Sequence, residues 1–148
     1  MIQDDLKLKG QLEIVVTAQD GTVRQRESVK NLVVTSGKGY VASRMKDAST
    51  AVMSHMAIGT GSTAAAAGNT VLGSESARVS LTSTTMNNND VVYVATFPAG
   101  TPSSSAAITE AGLFNASSGG TMLCRTVFGT ITKGTSDSLT ITWTVTAS

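Results

Sequence analysis

The chain of 148 residues carries one cysteine, one histidine, one tryptophan and two prolines, and only 14% of its residues are charged. Each shortage excludes something. A single thiol, Cys124, cannot close an internal disulfide, which removes the disulfide-stapled small secreted folds. His55 is the lone histidine, and with one cysteine it is too little to complete a zinc ligand set. A net charge of +1 gives no basic surface for nucleic acid. No run approaches the roughly 18 apolar residues of a membrane helix. The opening Met1-Ile2-Gln3-Asp4-Asp5 lacks the basic and apolar regions of a secretory signal, so synthesis in a cytoplasm is expected.

What the chain does have is hydroxyl groups and alternation. Serine and threonine together number 40. Threonine suits strands because its branched Cβ packs on a pleated surface. Residues 139–146 read Leu-Thr-Ile-Thr-Trp-Thr-Val-Thr, apolar at every odd position and threonine at every even one. A period of two buries one face of a strand and wets the other. Residues 6–16 alternate likewise, with Leu8, Leu12, Ile14 and Val16 on one side. Gln19-Asp20-Gly21 signals a hairpin, and the polar return over residues 22–29, with Arg24, Gln25 and Arg26, predicts an edge strand.

Ser36 is placed as the N-cap of one short, glycine-softened helix through Met45, with Tyr40, Val41, Arg44 and Met45 at helical spacing. Residues 54–58 read as a buried strand, followed by a small-residue loop over 59–68 with a helical turn expected in its alanines. Residues 78–84 and 90–97 form a hairpin pair about Asn87-Asn88-Asn89, and 108–115 and 121–128 another about Ser117-Ser118-Gly119-Gly120. Gly129 and the Lys133-Gly134 turn lead to the last strand. Seven to nine strands with regular turns predict a mainly β fold, an antiparallel sandwich or jelly-roll-like domain with one short helix. Residues 1–148 are expected to form one domain, with a hairpin and helix over 1–49 and the main sheet over 50–148, and any boundary near residue 50. Charge divides along the chain: 8 basic and 5 acidic residues in 1–46, 3 and 5 in 47–148. Solvated, scattered charge is the simple account of it.

Catalytic groups do not converge. Gly59-Thr60-Gly61-Ser62-Thr63-Ala64 fits a loose dinucleotide pattern with Glu75 further on, but no helix follows to hold a pyrophosphate. A glycine-rich connector is the better account. His55 lies in an apolar stretch beside Met56 with no nucleophile-elbow sequence anywhere, and reads as buried or interfacial. Cys124 sits in the run Met122-Leu123-Cys124 and reads as core. Among the scattered carboxylates Glu75, Asp90, Glu110 and Asp137, Glu110 stands before the apolar Ala111-Gly112-Leu113-Phe114 and needs a cation, either Arg78 or Arg125; Arg78 is expected. No catalytic, cofactor-binding or metal-binding residue is assigned.

The run Met56-Ala57-Ile58-Gly59-Thr60-Gly61, then Asn69-Thr70-Val71-Leu72-Gly73-Ser74-Glu75 and Arg78, then Ile108-Thr109-Glu110-Ala111-Gly112-Leu113-Phe114, resembles a module of tailed-bacteriophage virion proteins. It is similar to tail-fibre attachment domains and to small stand-alone structural proteins of podovirus-like phages, over about residues 50–147. Asn31-Leu32-Val33-Val34-Thr35-Ser36-Gly37 also resembles the latter. The resemblance implies that Glu75, Arg78 and Glu110 support the fold. The sequence ends at Ser148 without a fibrous shaft, which leads to the expectation of a compact virion component.

The reading is therefore a non-enzymatic phage structural protein located in the virion. A capsid decoration or cement protein is expected, bound to the major capsid protein or another virion protein and stabilising the assembled head. It is expected to act as a homo-oligomer, with a trimer suggested by shell symmetry and not by the residues. A tail, baseplate or tail-fibre attachment protein is the alternative, and a carbohydrate-binding module the third. Sugar faces carry exposed aromatics, whereas Trp143, Tyr40 and Tyr93 fall at core positions. The loops over 59–68 and 99–107 are the candidate contact segments.

Overall fold

The computed structural model describes residues 6–148. Nine antiparallel strands and one helix follow in the order β1 (Leu8–Thr17), β2 (Val23–Val33), α1 (Thr35–Lys46), β3 (His55–Gly59), β4 (Glu75–Ser80), β5 (Ser83–Asn87), β6 (Asp90–Phe97), β7 (Ala106–Phe114), β8 (Met122–Lys133) and β9 (Ser138–Ala147). They form one sheet in the order β4-β3-β7-β8-β2-β1-β9-β6-β5. The fold is thus mainly β and antiparallel with a single short helix.

The sheet curls on itself, and its two halves share one core. Leu12, Ile14 and Val16 of β1, Phe97 of β6 and Leu139, Ile141 and Trp143 of β9 meet Met56 and Ile58 of β3, Ile108 and Leu113 of β7 and Ile131 of β8. The alternation of residues 139–146 is realised in full: the odd positions are buried and every threonine is half-buried on the outer face. Trp143 and Tyr93 lie in the core and Tyr40 packs partly against it. Cys124 is fully buried, and that burial pushes its thiol up to about 12.

Two strands make the corners. β2 pairs with β1 along its length, but with β8 only through Leu32 and Val33. The segment expected at an edge, 22–29, lies at one, since from Val23 to Asn31 the strand pairs with β1 alone, and Leu32 and Val33 beyond it join the halves. On the far side the strand expected over 78–84 is divided. β4 pairs with β3, Leu81-Thr82 crosses over, and β5 pairs with β6. A strand that switches sheets is how a sandwich turns a corner. Strands from both sides of residue 50 belong to this one sheet, since β1 pairs with β9 throughout.

Three local expectations are corrected. Helix α1 spans the expected segment, but its N-cap is Val34, without a side-chain cap. The Ser36 hydroxyl donates instead to the Met122 carbonyl at 2.8 Å, drawn away by β8. The alanine run forms no helix: Asn69 closes a turn, donating its N–H to the Ala66 carbonyl (3.0 Å) while its side-chain oxygen accepts the Ala66 N–H (2.8 Å). β8 does not stop near Gly129 but continues to Lys133, because Ile131, Thr132 and Lys133 resume pairing with β7 beyond a bulge.

Candidate functional site

The most organised polar site lies on the outer face of the β3-β7-β8 half. There β7 carries Glu110, Gly112 and Phe114 outward, and residues 60–74 fold back over them. The pairing of β7 with β8 breaks between Ile108 and Glu110. Such a bulge re-aims side chains, and here it sends two consecutive residues to the same loop. Thr109 Oγ1 donates to the Gly61 carbonyl at 2.7 Å, and Glu110 Oε2 accepts the Gly61 N–H at 2.7 Å.

Glu110 is completely buried. Its Oε2 also accepts the Ser74 N–H (2.6 Å), and its Oε1 accepts the Gly73 N–H (2.7 Å). Arg125, equally enclosed on β8, donates to Oε1 from Nε at 3.2 Å and from an Nη at 3.0 Å. The same guanidinium donates to the Asn69 side-chain oxygen (2.9 Å) and the Thr63 carbonyl (3.1 Å). Burial alone would raise the Glu110 pKa. The N–H groups of Ser74 and Gly73, the Arg125 guanidinium and the Gly61 N–H outweigh it and hold the carboxyl below its ordinary 4.5.

The glycines are explained by this carboxylate. A Cβ on Gly61 would stand 2.3 Å from Glu110 Oε2, and one on Gly59 would stand 2.3 Å from the Ser74 carbonyl oxygen. A glycine-rich segment whose N–H groups surround an anion is the arrangement of a phosphate loop. Here the anion is the chain's own Glu110, so the space a phosphate would need is filled.

The expected partner of Glu110 is corrected: it is Arg125, and Arg78 pairs elsewhere. Arg78 holds Glu75 through two bonds of 2.7 and 3.0 Å and donates to the carbonyls of Ala116 (3.0 Å) and Gly119 (2.9 Å). Its guanidinium stacks 3.8 Å above the Phe114 ring. Strand order decides between the two arginines. Arg125 is on β8, next to β7, whereas β3 separates β7 from Arg78 on β4.

A second buried cluster lies where the loops after β6 and β8 meet. Lys133 Nζ donates to the carbonyls of Pro98 (3.0 Å) and Asp137 (2.7 Å). The Asp137 carboxylate accepts the Gly134 N–H at 2.9 Å and the Arg24 guanidinium at 3.1 Å. Burial lowers the Lys133 pKa, partly offset by Asp137. The sequence carried one signal for this: Lys133 shares strand parity with buried Ile131, a charge at a core position. Each cluster anchors a small-residue loop, Glu110–Arg125 the 60–74 loop and Lys133 the one beginning at Pro98.

His55 is half-buried between two hydroxyls, with Ser54 Oγ 2.7 Å from Nδ1 and Ser80 Oγ 3.4 Å from Nε2. Among the described residues no carboxylate bonds to the ring as the orienting third group of a serine-activating set would. Among the described residues no three histidine, cysteine or carboxylate side chains group as a metal site, and no helix is long and apolar enough to cross a membrane. Comparison with protein-family models, with curated proteins and with solved structures yields no match.

Proposed function

We propose that this chain is a non-enzymatic structural protein of a tailed-bacteriophage virion, acting as a decoration or cement protein that binds and stabilises the assembled head. One observation carries the reading. The three segments that resemble phage virion modules, residues 56–61, 69–78 and 108–114, meet around Glu110, where their polar groups hold backbone in place. The most polar part of the molecule is thus occupied with rigidity. The loop it fixes presents small, uncharged side chains outward over residues 62–68, a surface suited to close docking on a regular lattice of major capsid protein. Pre-fixed loops lose less conformational entropy on binding.

A partner that binds only the intact shell stabilises it by mass action, by about 2.7 kcal/mol per site at a hundredfold excess over Kd. Repetition over a symmetric shell multiplies that gain. A tail, baseplate or fibre-attachment role uses the same rigid loops in fewer copies. Glycan binding ranks below both, because no aromatic side chain is exposed.

The deciding measurement is copy number in purified virions, by quantitative mass spectrometry against the major capsid protein. Hundreds of copies per particle are expected. On the order of ten would move the protein to the tail or one vertex, and absence would end the virion reading.

A further inference from the structure

Three of the strand edges left unpaired in the sheet differ in the side chains they carry. The free stretch of β2 carries Arg24, Arg26, Glu27 and Lys30. The edge strand β4 carries Glu75 and Arg78. Exposed charges like those on β2 are how proteins discourage edge-to-edge pairing, whereas Glu75 and Arg78 neutralise each other. The other edge strand, β5, reads Ser83-Thr84-Thr85-Met86-Asn87, with neither charge nor proline, and all five residues are exposed. The bare stretch is longer than the strand, since residues 81–89 contain no charged side chain.

The surface beside β5 is equally unguarded. Thr84 and Met86 pair with Tyr93 and Val91, whose side chains face the core. Yet Met86 is 76% exposed, so the inner face of the β5–β6 hairpin extends past its cover. A groove of about 620 Å³ runs from it to helix α1, lined by Tyr40, Val41, Met45, Val52, Met86 and Val91 among others. Its one charged lining residue, Arg44, is tied to the Thr50 carbonyl at 2.8 Å.

We propose that β5 is a homotypic pairing edge, at which two copies of the chain join their sheets antiparallel about a two-fold axis. An unguarded edge is a template for a further strand, and in solution its own copy is the strand that always accompanies it; charge permits that occupant. Two-fold contacts set a patch against itself, and an uncharged strand beside a groove with one internally bonded cation meets its own copy without like-charge repulsion. Full pairing of the five residues fixes the register: Thr85 lies on the axis opposite its own copy, and Thr84 faces the partner's Met86. Both seam residues then lie on the groove side, where the two apolar grooves adjoin. The two-fold contact differs from the trimer that shell symmetry suggested, and it stands whether or not the protein acts on a phage head.

The test is analytical ultracentrifugation of the full chain and of a Thr84→Lys/Met86→Lys variant, with circular dichroism melting as the folding control. Both positions are exposed, so the charges meet only the proposed partner. The wild type is expected to sediment as a dimer and the variant at half that mass with its melting unchanged. A separate Thr85→Cys variant is expected to form an intermolecular disulfide, since directly paired Cβ atoms lie about 4.5–5.5 Å apart and buried Cys124 does not compete. A monomeric wild type, an oligomer that survives the lysines, or a dimer in which the cysteines at position 85 fail to cross-link would each overturn the proposal.

Discussion

Glu110 shows how one side chain can organise a surface loop. It accepts N–H groups from three loop residues, Gly61, Gly73 and Ser74, and two bonds from Arg125. A carboxylate held this way binds its proton less readily folded than unfolded. Its stabilising contribution is present above the ordinary carboxyl value of 4.5 and is lost as pH falls through the lower folded value. Urea unfolding across acid pH should therefore show a wild-type midpoint that falls below about pH 4.5 more steeply than that of Glu110→Gln. Other lowered carboxyls, Asp47 at about 2 and Asp20, are common to both proteins and cancel in the difference. Arg125→Ala leaves the buried carboxylate without its cation and should cost about 3–5 kcal/mol at neutral pH. Parallel pH curves for wild type and Glu110→Gln would mean that the tether does not hold the charged form.

At the scale of the element, β9 is paired on both sides, with β1 and with β6, and buries Leu139, Ile141, Trp143 and Val145. Trp143 is wholly enclosed and its indole N–H has no hydrogen-bond partner among the described residues. Truncation therefore removes packing and no bond. Trp143→Ala is expected to cost about 3–5 kcal/mol, read from denaturant unfolding, with Trp143→Phe clearly milder. An unchanged midpoint for the alanine variant would be incompatible with this core. β9 was legible in the sequence because a half-buried strand writes its two faces directly into alternate residues. Helix α1 was legible from the spacing of Tyr40, Val41, Arg44 and Met45. Its start was not: the Ser36 hydroxyl that would cap it bonds to a carbonyl 86 residues away. The Glu110–Arg125 pair was half legible. That Glu110 needs a cation follows from its apolar neighbours. Which arginine serves depends on strand order and on a bulge, and both are long-range properties that no local pattern records. The bare edge at β5 was invisible for the same reason, since an edge exists only once the other strands have been placed.

At the scale of the whole molecule, the sheet closes by joining distant parts of the chain. β1 pairs with β9 along its full length, and the Lys7 and Ser148 backbones exchange two bonds of 2.7 and 2.8 Å. β2 reaches β8, and the β4–β5 corner ties the two halves again on the other side. The hairpin and helix of residues 6–49 therefore have no separate core: Leu12, Ile14, Val16 and Val33 belong to one cluster with strands from the rest of the chain. A molecule built this way should unfold in one step. Trp143 reports on this, because it is the single tryptophan and sits where both parts meet. Guanidinium unfolding followed by Trp143 fluorescence and by far-ultraviolet circular dichroism should give coincident transitions. A dichroism change well separated from the fluorescence change would mean that residues 6–49 come away as a unit of their own. The shared core argues against that, because removing β1 and β2 would uncover β9 on one side and β8 on the other and leave neither half a closed apolar face.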